Sequence, residues 1–121
     1  MNFLSKNKNI SGNDRVVYGV ILDVDIGYGL KYKDEHNLYL KLDIQQFDNF
    51  ECTQLFRIDR LDEILNEFCK NYTNTSTVRE LVHQRVCLNA SDNYDGVPNA
   101  IAKNNPKHNK NSHWVYNNNW E

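Results

Sequence analysis

Residues 16–44 read VVYGVILDVDIGYGLKYKDEHNLYLKLDI, and the alternation of residue types in this stretch decides the predicted fold. Two apolar runs recur in it at a period of two. They comprise Val16, Tyr18, Val20, Leu22, Val24 and Ile26, then Leu38, Leu40, Leu42 and Ile44. Successive side chains of an extended chain point to opposite faces, so each run predicts a half-buried strand. The glycines and polar residues between the runs predict a bent hairpin.

The opposite face of the first run changes character partway along. It carries Val17, Gly19 and Ile21 at first and then Asp23 and Asp25. We therefore expect the first half of this strand to be covered on both sides and the second half on one side only. The second run alternates with polar residues throughout, which predicts a single buried face.

A third strand and the main helix follow the hairpin. Residues 50–57 resume the alternation, and a short connection makes them an antiparallel neighbour of the second strand. Four apolar residues then recur at helical spacing on one face: Leu61, Ile64, Leu65 and Phe68. Asp59 lies just before them and offers a side-chain oxygen of the kind that caps a helix start.

Three more elements are predicted further along the chain. Thr77 and Glu80 have the spacing of a capping box and predict a short second helix that extends through Val82. Residues 85–89 predict a strand. Residues 97–103 predict an edge strand, where a proline is tolerated because its missing amide faces solvent.

This order of elements predicts an α+β fold, in which an antiparallel sheet of four to five strands carries one main helix and one short helix on one face. Residues 1–14 predict a flexible N-terminal arm, and residues 15–103 a single domain. Residues 104–121 predict a polar, aromatic-containing C-terminal tail.

Composition indicates an ordinary globular protein. The chain has 121 residues, a net charge of -2 and a sequence pI near 6.1, which argues against a uniformly basic surface. No apolar run approaches the roughly 20 residues needed to cross a bilayer, so we expect a soluble, cytoplasmic protein with no membrane partner. Cys52, Cys69 and Cys87 are scattered among apolar residues and predict buried, reduced thiols. An uncovered strand edge leaves both a monomer and a homodimer open.

Catalysis is not indicated by the sequence. The four histidines share no spacing, and no serine or cysteine nucleophile lies in a recognisable motif. Asp23 and Asp25 are about 7 Å apart along one strand face, a spacing that a divalent ion in a metal-dependent hydrolase uses. The alternative is that these acids keep an exposed face soluble. We favour the second interpretation and predict no metal, no cofactor and no enzymatic activity.

The pattern of elements is similar to that of small, uncharacterised proteins encoded by bacteriophages and prophages. The features that carry the resemblance are the two alternating strands, LDEIL at residues 61–65, REL at 79–81, RVCL at 85–88 and a late tryptophan. They span residues 15 to 116. The resemblance implies a small accessory protein of a mobile element, and it supplies no catalytic residues.

Our first functional hypothesis is a non-catalytic protein-interaction module of a phage or mobile element. An acidic face would occupy the basic channel of a host protein, such as a nucleic-acid-processing enzyme, as inhibitors of the anti-CRISPR or anti-restriction type do. Carboxylates would stand in for phosphates. The residues expected in this face are Asp23, Asp25, Asp34, Glu35, Asp43 and Asp48.

The alternative hypothesis is a small RNA-binding or single-strand-binding protein that uses the C-terminal tail. Cations interleaved with aromatic rings can follow a single strand, with amines on the phosphates and rings under the bases. The residues expected to contribute are Lys103, Lys107, Lys110, His113, Trp114, Tyr116 and Trp120.

Overall fold

The computed structural model describes residues 15–30, 35–48, 50–69, 77–90 and 97–119. Within these ranges the regular elements follow the chain in this order: β1 (Val16–Tyr28), β2 (Leu38–Gln46), β3 (Glu51–Arg57), α1 (Leu61–Phe68), β4 (Arg85–Asn89), β5 (Ala100–Ala102) and β6 (Val115–Tyr116). Two 3-10 turns accompany them, at Ile58–Arg60 and Val78–Leu81.

The described strands form one sheet in the order β3-β2-β1-β4-β5-β6, with every neighbouring pair antiparallel. The α+β class with an antiparallel sheet is therefore confirmed. The expected number of four to five strands is wrong, because six strands take part. The additional strand is β6, which lies beyond residue 103 and pairs with β5.

A β-bulge at Leu22 divides β1 into two halves with opposite parity. Before it, Ile21 pairs with Ile44, and after it Asp23 pairs with Asp43, so Leu22 has no partner on β2. One extra residue turns every later side chain to the other face. Val17 and Ile21 consequently face the core in the first half, whereas Val24 faces it in the second. The continuous alternation predicted for this strand is interrupted here.

The main core lies between the sheet and α1. The inward face of β2 and the apolar face of α1 belong to one buried cluster, which includes Leu40, Leu42, Ile44, Ile64, Leu65 and Phe68. A helix of only eight residues is not stable alone in water. Most of its stabilisation therefore comes from this packing, at about 25 cal/mol for each Å² of apolar surface removed from water. The predicted packing of the helix on the leucine face of the hairpin is confirmed.

The chain after β6 joins the two outer strands of the sheet. The Asn118 amide donates to the Leu55 carbonyl at 2.7 Å, which links this segment to β3. The Leu55 amide donates to Asn119 Oδ1 at 2.7 Å, and the Arg57 amide donates to Asn118 Oδ1 at 2.9 Å. Side-chain amide oxygens thus accept hydrogen bonds from backbone amides of β3 that would be unpaired at the edge of an open sheet. These three bonds hold the segment after β6 against the outer edge of β3.

Several local predictions are corrected. The helix begins at Leu61 after the 3-10 turn, with Arg60 as its N-cap and no side-chain capping bond, so Asp59 does not cap it. Thr77 also forms no side-chain capping bond, and the predicted second helix is the 3-10 turn Val78–Leu81. The strand expected at residues 97–103 is shorter and lies between β4 and β6, so it is not an edge strand.

In the part of the chain that the structure describes, no helix is both long enough and apolar enough to cross a membrane.

Candidate functional site

Acidic side chains meet on the outer face of the sheet, the face turned away from α1. Asp23 on β1 and Asp43 on β2 are directly opposed partners, and Glu51 on β3 lies one pair further along on the same face. Together with Leu22 and Thr53 they line a cleft of about 440 Å³. We name Asp23, Asp43 and Glu51 the acidic cluster.

Nearby donors hold the two aspartates of the cluster. Thr53 Oγ1 donates to Asp43 Oδ1 at 2.9 Å, and Lys41 Nζ lies 4.0 Å from Asp43 Oδ2. Asp23 Oδ1 accepts a 2.9 Å hydrogen bond from the Val24 amide. The cluster therefore holds three negative charges beside one cation.

The pairing of Asp23 with Asp43 opposes the usual rule for sheets. Like charges directly opposite each other on an antiparallel pair are destabilising by a few tenths to about 1 kcal/mol. Two residues further along β1, Asp25 has Lys41 as its direct partner, which is the favourable arrangement. A local cost of this kind is expected where a surface serves a function.

The other residues of the predicted acidic face are not brought into this cluster. Asp25 lies on the same face as Asp23 but is paired with Lys41. Glu35 precedes β2 and Asp48 follows it, so they are at opposite ends of a nine-residue strand about 30 Å long. Asp34 lies outside the described residues.

Glu51 is a member of the cluster that the sequence prediction missed. It opens β3 and pairs with Gln45, which places it next to Asp43 on the outer face. The signal was available in principle, because the alternation of residues 50–57 assigns Glu51 and Thr53 to the same face. What was missing was the register between β2 and β3.

A metal centre is not assembled from the described residues. Among them, no three histidine, cysteine, aspartate or glutamate side chains converge in a geometry that could hold a metal ion. The side chains around Asp43 instead include a hydroxyl donor and an ammonium group. This arrangement suits exchange of hydrogen bonds and ion pairs with a partner surface.

A buried carboxylate on α1, that of Glu67, contacts two residues of the predicted C-terminal tail and Lys103 just before it. Glu67 has a side chain only 4% exposed, and its Oε1 accepts a 3.0 Å bond from the Lys103 amide and another bond from the Ser112 hydroxyl. His113 Nδ1 lies 3.5 Å from Glu67 Oε2. The segment is therefore held against the helix.

Little aromatic surface is left for a base to stack on in this segment. Trp114 is 8% exposed and packs against Cys87, Ala100 and Ala102. Tyr116 is half-buried beside the same cluster, while Trp120 lies outside the described residues. Lys107 and Lys110 are exposed, and Lys103 Nζ donates to Gln84 Oε1. In its described part, residues 104–119, the segment thus offers cations to solvent but few rings.

The three thiols are not activated as nucleophiles. Burial and, to a smaller extent, the negative charge of Glu67 raise the pKa of Cys87 to about 11, while the positive charge of Lys103 opposes this rise. Burial likewise raises the pKa of Cys52 and of Cys69 above the usual value of 9.0. All three therefore stay protonated at neutral pH.

No protein-family model, no curated protein and no solved structure matches this chain.

Proposed function

We propose that this protein is a non-catalytic interaction module that binds a basic protein surface through the acidic cluster. The observation that carries this proposal is the opposition of Asp23 and Asp43 on an exposed face, with Glu51 beside them. A partner that brings cations to this face relieves the repulsion between the two aspartates. Binding thereby regains the stability that the free protein lacks.

The connectivity supports a finer description of the fold. We infer an OB-type barrel, because β1 pairs with both β2 and β4, α1 connects β3 to β4, and residues 117–119 close the sheet against β3. OB barrels bind oligonucleotides and oligosaccharides on the face of their second and third strands. Fold alone does not assign a ligand, so the chemistry of that face decides.

On that face this protein carries carboxylates. Asp43, Glu51 and the neighbouring Asp23 repel the phosphates of a nucleic acid and attract lysine and arginine side chains. The proposed partner is therefore a protein with a basic surface. A nucleic-acid-processing enzyme of a host cell has such a surface, and the resemblance to phage accessory proteins favours this class.

The mode of action follows from the charges. Exposed carboxylates steer a basic partner and raise the association rate, and this effect weakens as salt is added. When the carboxylates occupy positions that phosphates take in the partner, nucleic acid and this protein exclude each other. Inhibition then needs no catalytic group on this chain.

The test is affinity capture from a nuclease-treated bacterial lysate with matched charge variants. The double variant Asp23→Asn/Asp43→Asn removes two charges from the cluster, and Asp59→Asn/Asp62→Asn removes two exposed charges near α1. We expect a partner protein that is captured by the wild type and by Asp59→Asn/Asp62→Asn but not by Asp23→Asn/Asp43→Asn. The captured protein, once purified and loaded with a labelled nucleic acid, should release that nucleic acid when this chain is added.

Equal recovery on the wild type and the cluster variant would contradict the proposal. The alternative function, single-strand binding through the C-terminal segment, is tested separately with the purified protein and no nuclease. A labelled oligonucleotide that binds the wild type and is released by Lys107→Ala/Lys110→Ala would favour that alternative. The burial of Trp114 gives it less support than the exposed carboxylates give the first.

A further inference from the structure

We propose that a second patch on the outer face, formed by Tyr18, Phe47 and Arg85, is the apolar anchor of the same protein interface. This inference rests on the proposed function and adds to it the chemistry of the partner. The partner segment would carry an aromatic or large aliphatic side chain next to its basic residues. We name Tyr18, Phe47 and Arg85 the aromatic platform.

The platform is built from three different strands or their ends. Tyr18 and Arg85 are diagonal neighbours on β1 and β4, because Tyr18 pairs with Cys87 and Val20 pairs with Arg85. Phe47 follows β2, and its amide donates to the Tyr18 carbonyl at 2.8 Å. The Arg85 guanidinium carbon lies 6.0 Å from the centre of the Phe47 ring, a cation–π distance.

Both rings are exposed, and the Tyr18 ring is held in place. Tyr18 is 47% exposed and Phe47 is 58% exposed. Asn105 Nδ2 donates to the Tyr18 hydroxyl at 3.2 Å, so both ends of the Tyr18 residue are tied to neighbouring segments. Exposed aromatic and arginine side chains with restricted motion are the residues that most often dominate binding energy at protein interfaces.

The platform is continuous with the acidic cluster. One row of cross-strand partners runs over four strands on the outer face, from Arg85 through Val20 and Gln45 to Glu51. At about 4.8 Å for each strand spacing, the ends of this row are about 14 Å apart. A single partner segment can therefore contact both ends.

The two ends of this row of residues carry opposite charges, which sets the orientation of the bound segment. Arg85 repels cations from the ring end of the row, whereas Glu51 and Asp43 attract them at the other end. A partner side chain that stacks on Phe47 is accordingly apolar or aromatic, and its basic neighbours lie towards β3. Asp48 follows Phe47 directly and is exposed, and its negative charge offsets the attraction of Arg85 for phosphates.

The acidic cluster and the aromatic platform affect different rate constants of binding. The carboxylates act through long-range attraction and set the association rate. The platform acts through close packing and sets the dissociation rate, as anchoring residues in protein interfaces do. Loss of the Phe47 ring should lower the affinity for a bound peptide by on the order of tenfold or more, mainly through faster dissociation.

The test is selection from a yeast-displayed library of random peptides, with the biotinylated full-length protein as bait. Four baits are compared: the wild type, Phe47→Ala, Asp23→Asn/Asp43→Asn and Phe50→Ala. Phe50 is the matched control, because it lies in the same β2–β3 connection and is 69% exposed but does not belong to the platform. Circular dichroism of each bait verifies that it is folded.

We expect the wild type and Phe50→Ala to enrich peptides that combine lysine or arginine with an aromatic or large aliphatic residue. Phe47→Ala should still enrich basic peptides but without the apolar residue. The double aspartate variant should enrich the apolar residue without the basic ones. A selected peptide should dissociate faster from Phe47→Ala, with an unchanged dependence of association on salt.

The two proposals fail in different ways. Basic peptides that show no apolar preference, or the same preference with Phe47→Ala, would overturn the anchor and leave the proposed function standing. Absence of basic enrichment on the wild type, or its persistence with the double aspartate variant, would overturn the proposed function itself. Binding of a labelled single-stranded oligothymidylate that disappears in Phe47→Ala would overturn the anchor by assigning the platform to nucleic acid.

Discussion

Asp23 and Asp43 are directly opposed across the β1–β2 pair, while the next aspartate on β1, Asp25, has Lys41 as its partner. Two nearly identical exposed sites therefore differ in the sign of their cross-strand charge. This contrast gives an internal control for the energetic cost of the acidic cluster.

Asp23→Asn should stabilise the protein, because it removes a like-charge pair and retains an oxygen that can accept from the Val24 amide. Asp25→Asn should destabilise it, because it removes an opposite-charge pair. Each change should be a few tenths to about 1 kcal/mol in the free energy of unfolding, measured by urea titration at low salt. Both effects should shrink in high salt. Changes of the same sign would contradict the assigned register.

Gly19→Ala should be strongly destabilising. A Cβ atom at this position would lie 2.7 Å from the Gln45 carbonyl oxygen and 2.9 Å from Ile44 Cγ2, so the β1–β2 pair would have to separate. We expect a loss of about 1–3 kcal/mol in urea denaturation. Gly27→Ala is the control, since its Cβ would meet only Leu30 side-chain atoms at 3.7 Å or more. Equal stability of the two variants would refute the close approach at Gly19.

Asn118→Ala should remove one of the hydrogen bonds that hold residues 117–119 to β3. The variant loses the Asn118 Oδ1 acceptor of the Arg57 amide but keeps the backbone bond to the Leu55 carbonyl. Amide hydrogen exchange should therefore accelerate at Arg57, and stability should fall by about 1–3 kcal/mol. In Asn119→Ala the Leu55 amide should exchange faster instead. Unchanged exchange at both amides would show that residues 117–119 do not close the sheet in solution.

Stability should decrease at alkaline pH because of Cys87. Its pKa is raised from 9.0 to about 11 in the folded protein, so the unfolded thiol ionises first. The stabilisation from the neutral buried thiol is complete below about pH 9 and is lost as pH rises towards 11, by at most about 1.4 kcal/mol per pH unit. Urea titrations at about pH 8 and about pH 10.5 should show a weaker pH dependence in Cys87→Ala than in the wild type. An identical pH dependence of stability in the two proteins would show that Cys87 is not its cause.

Sequence patterns predicted the elements more reliably than their relationships. The alternation of Leu40, Leu42 and Ile44 and the helical spacing of Ile64 and Leu65 identified the two layers of the core. These patterns are local, because the geometry of a strand or helix fixes which side chains share a face. The class of fold followed from them, with one strand too few.

The candidate site could be predicted only in part. Asp23, Asp25 and Asp43 were identified as acidic residues of strands, but Glu51 was missed and Glu35 and Asp48 lie at the two ends of β2. Which carboxylates meet depends on pairing between strands. Periodicity within one strand contains no information about that pairing.

By itself the sequence determined the alternating strands, the amphipathic helix and the confinement of the main core between them. Only the tertiary structure decided that Leu22 forms a bulge, that β6 and residues 117–119 complete the sheet, and that Asp23 is opposed to Asp43 while Phe47 lies under Arg85. The physical reason is the distance along the chain between the residues that interact. Periodicity results from the geometry of a few consecutive residues, whereas register and closure result from contacts between segments far apart in the chain, and a shift of one residue reassigns every side chain to the other face.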